Sequence, residues 1–271
     1  MYTSRLLGAE PSLVLHGGGN TSVKSRITNL FGEDEPVIHV KGSGWDLETI
    51  EAAGFSPCRM QPLLALAKLE TLSDPQMAAE LRKSLTDVGA PSPSVEAILH
   101  AILPARFVDH THANAILTMT NSPGGEHRVR ELFGERLVYI PYVMPGFKLA
   151  RLCAEVYPTE AGRDTIGMLL LKHGLFTFGE TAKESYERMI ELVSLAEEYL
   201  AKRGAWSPAA VGLRHGAETK PGAKTPRADI AALRRAVSDA AGAPMILSIH
   251  DDVEALAFAT RPDVREICLL Y

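Results

Sequence analysis

The sequence has 271 residues, of which 46% are hydrophobic and 23% charged, and its formal net charge is −5. This composition excludes a disordered chain and a coiled coil, and its acidic balance argues against a nucleic-acid-binding surface. The sequence has no apolar run of the roughly 20 residues that span a membrane and no signal-peptide pattern. Its three scattered cysteines cannot form a disulfide framework. We therefore expect a globular cytoplasmic protein that binds neither membrane nor nucleic acid.

Short apolar runs alternate with longer amphipathic segments along the chain, a pattern that indicates an α/β protein. In chain order the pattern predicts a strand at 12–15, a strand at 37–40, helices at 60–71 and 75–86, a strand at 107–112, a helix from about 113, strands at 137–143, 167–171 and 175–178, and a helix at 181–202. One more helix is expected to begin at Ser92, which is a good N-cap residue followed by Pro93, and to stop before Pro104.

The composition changes after Arg203, because the segment 204–227 is rich in glycine and proline and has few large apolar residues. It is predicted to be a linker. A helix at 229–241 and a strand at 245–250 are expected to follow. The predicted organisation is therefore a main domain at 1–203, a linker at 204–227 and a small C-terminal appendage at 228–271 that packs on the main domain or on a neighbouring subunit.

The segment His110-Thr111-His112 carries the sharpest chemical signal. Because side chains alternate along a strand, both imidazoles lie on one face and can reach one ion. Taken alone, such a pair is more often made of packing or surface histidines. His173, at a glycine-flanked break between two predicted strands, is a candidate third ligand, and three histidines with an open position are typical of catalytic zinc sites.

Glu96 is the candidate acid–base group, and His100 lies one helical turn later on the same face. The alternative is that Glu96 is simply an acidic residue favoured by the helix dipole. His100 is then either a core residue or a partner of the site.

Two glycine-rich turns, at 16–22 and 41–44, allow close backbone approach to an anion and offer N–H, hydroxyl and amide donors. Neither is a Walker A loop or a dinucleotide-binding motif, and each taken singly is more often a plain turn. The run His16-Gly17-Gly18-Gly19 also occurs in the oxyanion holes of some esterases, but the sequence has no Gly-x-Ser-x-Gly nucleophile motif, which excludes that class.

Read together in order, these motifs resemble the class II aldolase/adducin N-terminal domain family over about residues 10–203. The matching elements are Gly18-Gly19-Asn20-Thr21-Ser22-Val23, Lys41-Gly42-Ser43-Gly44, Ser94-Val95-Glu96 with His100, His110-Thr111-His112, Pro145-Gly146 and Lys172-His173-Gly174-Leu175-Phe176-Thr177-Phe178-Gly179. The last stretch is most similar to the aldolase portion of rhamnulose-1-phosphate aldolase/alcohol dehydrogenase fusion proteins. The resemblance implies a three-layer α/β/α sandwich, here with a small C-terminal appendage, usually assembled as a homotetramer.

The resemblance also implies roles for individual residues. The metal ligands fall on His110, His112 and His173, binding Zn²⁺ or another divalent ion such as Mn²⁺ or Co²⁺, and the acid–base carboxylate falls on Glu96. The phosphate pocket falls on Asn20, Ser43, Gly44 and Ser94, flanked by Gly19 and Thr21.

The expected function is that of a divalent-metal-dependent aldolase. It would act on a sugar phosphate, either a ketose phosphate or a related hydroxy-carbonyl compound, through a metal-stabilised enediolate. Two alternatives remain at this point: an epimerase, dehydratase or decarboxylase on the same scaffold, or a non-catalytic adducin-like interaction module.

Overall fold

The structure is a computed structural model that describes residues 1–205, 227–248, 256, 258–259 and 261–264. In chain order the strands are β1 (Asn20–Thr28), β2 (Asp34–Lys41), β3 (Phe55–Arg59), β4 (Phe107–Thr111), β5 (Leu137–Ile140), β6 (Gly167–Leu170) and β7 (Gly174–Gly179). The α-helices are α1 (Tyr2–Gly8), α2 (Met60–Leu66), α3 (Asp74–Lys83), α4 (Ala97–Ile102), α5 (Asn114–Thr120), α6 (Gly125–Phe133), α7 (Phe147–Glu160), α8 (Ala182–Lys202) and α9 (Arg227–Ala241).

The strands form one seven-stranded sheet in the order β3-β2-β1-β4-β7-β6-β5. Every neighbouring pair is antiparallel except β5 and β6, which are parallel and joined through α7. Helices α2, α3, α4 and α7 contribute to the main apolar core on one face of the sheet. Helices α1, α5, α6 and α8 contact the other face, which confirms the predicted α/β sandwich.

Strand β1 was not predicted, and its composition explains why. Its buried half begins with Asn20, Thr21 and Ser22, so the strand has no apolar alternation to detect. The strand predicted at 12–15 is wrong. This segment is a turn in which the Leu13 and Val14 amides both donate to the Glu10 carbonyl, at 2.9 and 3.2 Å.

The predicted helix start at Ser92 is also wrong, because the chain there is held by the end of β2. The Ser43 amide donates to the Ser92 carbonyl at 2.8 Å, and the Ser94 amide donates to the Lys41 carbonyl at 3.0 Å. These two hydrogen bonds keep the backbone extended, so α4 begins only at Ala97, with Glu96 at the N-cap position. The helix ends at Ile102, before Pro104 as expected.

The chain divides into two compact units, Met1–Leu200 and Ala201–Tyr271. In the second unit α9 matches the predicted helix, but residues 245–248 form no strand. The Met245 amide donates instead to the Ser238 hydroxyl at 3.0 Å, which ties this segment to the end of α9. Most of the predicted linker, and Ile249 and His250 of the predicted strand, lie outside the described residues. Among the described helices, none combines the length and apolarity needed to cross a membrane.

Candidate active site

His110 and His112 approach each other at the end of β4. Period-two alternation turns the His110 side chain toward the core face, where its ring is fully buried and stacks on Phe176 with a centroid separation of 4.1 Å. His112 follows the strand directly, and its Nε2 lies 3.0 Å from Nε2 of His110. The expectation that both imidazoles share one face is confirmed.

His173 reaches the pair from the tight turn between β6 and β7. Lys172, immediately before it, has a φ of 61°, a left-handed conformation that makes the chain reverse sharply. Gly174 then lets the turn lie against β4, because a Cβ at this position would be 2.4 Å from the Thr111 carbonyl oxygen and 2.8 Å from Cε1 of His110. The His173 ring centroid lies 5.2 Å from that of His110 and 5.1 Å from that of His112.

The three imidazoles fit a single divalent ion. One nitrogen from each ring lies within 4.8 Å of the others. The Nδ1–H of His110 donates to the Leu175 carbonyl at 3.1 Å, which leaves its Nε2 with a lone pair facing the cluster. Two nitrogens bound to one tetrahedral zinc ion are roughly 3.3 Å apart, close to the 3.0 Å between His110 and His112.

Glu96 lies against the histidine cluster. Its Oε2 is 3.4 Å from Nε2 of His110, and its Oε1 is 3.3 Å from Nε2 of His173. The carboxylate is only 7% exposed, so it is more than a solvated helix-start residue. Burial raises the pKa of Glu96, while His173, the amide of Asn20 and the charge of Lys41 act in the opposite direction.

His100 orients this carboxylate through Asn20 and has no place among the metal ligands. Its Nε2 hydrogen-bonds the Asn20 side-chain carbonyl oxygen and must therefore donate, so its Nδ1 accepts from the Ser22 hydroxyl at 2.8 Å. The Asn20 amide then donates to Oε2 of Glu96 at 2.7 Å and to Ser94 Oγ at 3.2 Å. Burial lowers the pKa of His100 to about 3, so the ring is neutral. Sequence patterning could not find this relay, since Ser22 belongs to the unpredicted strand.

A cavity of about 540 Å³ opens onto these groups. It is lined by five of the six residues predicted for the phosphate pocket, together with groups of the candidate centre: Gly19, Asn20, Ser43, Gly44, Ser94, Glu96, His112 and His173. Thr21 is not among the lining residues. Its side chain points to the opposite face of the sheet, where its hydroxyl hydrogen-bonds Ser4 at 2.8 Å. Sequence reasoning named Lys41 only as part of a turn and missed Trp45 and Asp46, which also line the cavity.

The glycine turns offer an anion fewer backbone donors than their composition suggested. The Gly18 amide donates to the Leu15 carbonyl at 2.9 Å, the Gly42 amide to Gly54 at 2.8 Å and the Ser43 amide to Ser92 at 2.8 Å. The glycines instead allow close packing, because a Cβ at Gly42 would lie 2.4 Å from Pro91. The amides of Gly18, Gly42 and Ser43 are therefore not available to an anion in the cavity.

Comparison with known proteins gives a consistent picture of this main unit. Residues 1–200 match the family model described as the class II aldolase and adducin N-terminal domain. A solved N-terminal class II aldolase domain from Thermoplasma acidophilum is 45% identical, with a TM-score of 0.68, and the match covers 73% of this chain and 91% of that one. An aldolase II superfamily protein from Pseudomonas syringae has the same fold at 15% identity and a TM-score of 0.53, covering 89% of this chain and 92% of that one.

A curated relative, an uncharacterized oxidoreductase named YuxG from Bacillus subtilis (strain 168), is 36% identical over 203 residues. The match covers 75% of this chain and 29% of the relative, so the chain spans less than a third of that protein.

Proposed function

Since the chain belongs to the class II aldolase and adducin N-terminal domain family, we propose that it is a divalent-metal-dependent aldolase. Its substrate would be a ketose phosphate or a related hydroxy-carbonyl compound, which it would cleave at a carbon–carbon bond. The observation that carries this proposal is the convergence of His110, His112 and His173 with the Glu96 carboxylate, in a cluster of which Glu96, His112 and His173 line one cavity.

His110, His112 and His173 would hold the ion, preferably Zn²⁺, with Mn²⁺ or Co²⁺ as alternatives. When bound, such an ion acts as a Lewis acid toward the carbonyl of the substrate and the negative charge that cleavage leaves on it. The hydrogen bond from His110 to the Leu175 carbonyl keeps one ligand ring in the tautomer that metal binding needs.

Glu96 would move the proton. One oxygen, Oε2, accepts a hydrogen bond from the Asn20 amide. The other, Oε1, is buried 3.3 Å from Nε2 of His173 without a hydrogen-bond partner, and would be the atom that exchanges a proton with the substrate. Burial raises the pKa of Glu96, which brings a carboxyl group closer to the range useful for acid–base catalysis near neutral pH.

The four convergent groups argue against a non-catalytic adducin-like module, which would have no use for a buried carboxylate beside three histidines. An epimerase, dehydratase or decarboxylase could use the same groups, because fold does not determine the reaction. We favour the lyase because one carboxylate, Glu96, lies beside the three histidines, and carbon–carbon cleavage of this kind needs a single acid–base group. As in the family's usual assemblies, we propose a cytoplasmic homo-oligomer, most simply a tetramer.

The experiment is a screen of phosphorylated and free ketoses for aldehyde release by the zinc-loaded protein. Dialysis against a chelator should abolish the release and added Zn²⁺ should restore it. Full activity in chelator would contradict the metal-dependent mechanism. An isomerised product without aldehyde would indicate an epimerase instead of a lyase, and a decarboxylated product would indicate a decarboxylase.

A further inference from the structure

We propose that the hairpin formed by β1 and β2 is a contact between two copies of this chain, in which the tip of each hairpin inserts into a cavity at the base of the other. The residues that line this second cavity are all different from those of the candidate active-site cavity. The inference therefore does not depend on the proposed reaction, and it goes beyond the proposed homo-oligomer by assigning a defined contact.

The tip of the hairpin exposes two large apolar side chains. Leu30 is 101% exposed and Phe31 is 85% exposed. The side-chain oxygen of Asn29 accepts from the amides of Phe31 and Glu33 at 2.9 and 3.0 Å, and Gly32 supplies the left-handed φ of 80°. The turn is therefore held by Asn29 and Gly32, and the apolar side chains of Leu30 and Phe31 have no part in forming it. Two adjacent apolar side chains presented in this way are typical of an interaction surface.

The hairpin also projects beyond the rest of the sheet. β4 pairs with β1 only as far as Val23, and β3 pairs with β2 only from Val37 onward. Within the described part of the chain, the ribbon at 25–36 therefore has no neighbouring strand. A two-stranded ribbon has little stability alone, so a partner lying against it would stabilise it.

A cavity of about 580 Å³ lies at the base of this hairpin. Apolar and basic residues line it together: Lys24, Ser25, Arg26, Pro36, Val37, Met60 and Arg106. Arg26 is paired with Asp34, and the ammonium of Lys24 donates to two backbone carbonyls. Arg106 makes no ion pair with any described residue, and its guanidinium lies 5.4 Å from the centre of the Phe107 ring. The cavity thus offers apolar surface together with an unpaired positive charge.

The tip and the cavity are complementary in both polarity and charge. Beside Leu30 and Phe31 the tip carries Glu33, whose carboxylate accepts from the Asn29 side chain at 3.0 Å and has no cationic partner among the described residues. Phe31 inserted into the cavity would cover its apolar residues, and Glu33 would then approach Arg106. Opposite charges placed in this way at the rim of an apolar contact give it specificity.

The occupant that these features fit is a second copy of the chain. A hairpin cannot fill its own cavity, because the six residues of extended chain from Lys24 to Leu30 span about 20 Å. Two copies related by a two-fold axis can fill both cavities, since each hairpin carries one tip and one cavity. Such a contact is self-complementary and closed. The two ribbons would also lie side by side and supply each other's missing neighbour.

Two sets of variants of the full chain test the contact. Leu30→Ser/Phe31→Ser removes the apolar anchor, and Val88→Ser, at a residue that is 92% exposed outside the hairpin, is the matched control. Glu33→Arg and Arg106→Glu each place like charges opposite one another. The combined variant Glu33→Arg/Arg106→Glu restores opposite charges with their positions exchanged.

Sedimentation velocity over a concentration series measures self-association, and circular dichroism with thermal melting checks the fold. Loss of the contact is scored as a smaller assembly or a higher dissociation constant. Leu30→Ser/Phe31→Ser should weaken self-association by about a hundredfold, as expected for the loss of two apolar anchors, and Val88→Ser should leave it unchanged. Each single charge reversal should weaken it by about tenfold, and the combined variant should return to within about threefold of the wild type.

The proposal is overturned if the folded Leu30→Ser/Phe31→Ser variant associates as the wild type does, or if the wild type is a monomer. A combined charge variant that associates no better than the single reversals would also refute it, because the two charges then do not face each other. The charge variants decide the matter if the tip variant fails to fold. None of these measurements uses turnover, so failure of the hairpin contact and failure of the aldolase proposal are distinguishable.

Discussion

Oε1 of Glu96 lies 3.3 Å from Nε2 of His173, and each side chain keeps one buried polar atom that makes no hydrogen bond to the described residues. These atoms are Oε1 of Glu96 and Nδ1 of His173. Unsatisfied buried polar atoms are costly, and a pair of them on residues that line one cavity is the arrangement expected where a ligand completes the bonding.

Single alanine substitutions at His110, His112 and His173 should each abolish stoichiometric zinc binding while leaving the fold intact, because the apolar core does not depend on the ion. His110→Ala should lower the melting temperature most, since it leaves a void beside Phe176. Metal analysis and circular dichroism of the purified variants test this. A variant that retains about one zinc ion per chain would remove that histidine from the ligand set.

Glu96→Gln should retain zinc and reduce turnover by roughly 10²–10⁴-fold, the usual contribution of one general acid–base group. The substitution preserves shape and removes only the ionisable group. Steady-state rates on the ketose identified by the screen, at matched metal content, measure the effect. Turnover near that of the wild type would show that Glu96 does not transfer the proton.

Gly174→Ala should disturb the metal centre, because the added Cβ would lie 2.4 Å from the Thr111 carbonyl oxygen and 2.8 Å from Cε1 of His110. We expect a lower melting temperature and weaker zinc binding. Gly162→Ala is the matched control, since a Cβ there meets no atom within 4 Å. Equal zinc affinity and stability in the two variants would show that the turn carrying His173 does not need glycine.

His100 should make stability depend on pH below neutrality. Its pKa is lowered to about 3 in the folded state and is about 6.5 in an unfolded chain. As the pH falls below about 6.5, the unfolded chain takes up a proton that the folded protein does not, so stability decreases, by roughly 1.4 kcal/mol per pH unit at most. The His100→Gln variant has no imidazole at this position, so it does not undergo this decrease in stability. The stability advantage of the wild type over the variant should therefore shrink as the pH falls.

Urea denaturation of both proteins between pH 7 and pH 5 measures that difference. Titratable groups distant from His100 are common to both chains and cancel in the comparison, whereas the pKa of nearby His110 also depends on the charge of His100. A difference that stays constant with pH would mean that His100 is not held neutral by its buried position.

The C-terminal segment provides a further prediction, since we propose that residues 228–271 follow a linker at 204–227 and pack on the main domain or on a neighbouring subunit. A segment of this size rarely has a stable core of its own. Deleting 204–271 should lower solubility or change the assembly state while leaving zinc binding intact. Light scattering, thermal melting and metal analysis test this, and an unchanged melting temperature and assembly would contradict the packing.

Much of the sheet could be predicted from the sequence, because apolar patterning is a local property. Strands such as β2 and β7, and helix α8, lie where their apolar periodicity places them. Strand β1 could not be found in this way, since its buried half carries Asn20 and Ser22, which contact the candidate site. Polar residues that serve a site remove the very alternation by which a strand is recognised.

The sequence by itself determined that His110 and His112 share one face of a strand, because side-chain direction there depends only on the period of the backbone. Only the tertiary structure decided that His173 and Glu96 meet them, since both approaches depend on distant contacts. His173 is brought in by Gly174 packing on β4, and Glu96 by residues 92–94 pairing with the end of β2. That pairing also moved the helix start to Ala97, because hydrogen bonds to another strand outweighed the local capping signal at Ser92.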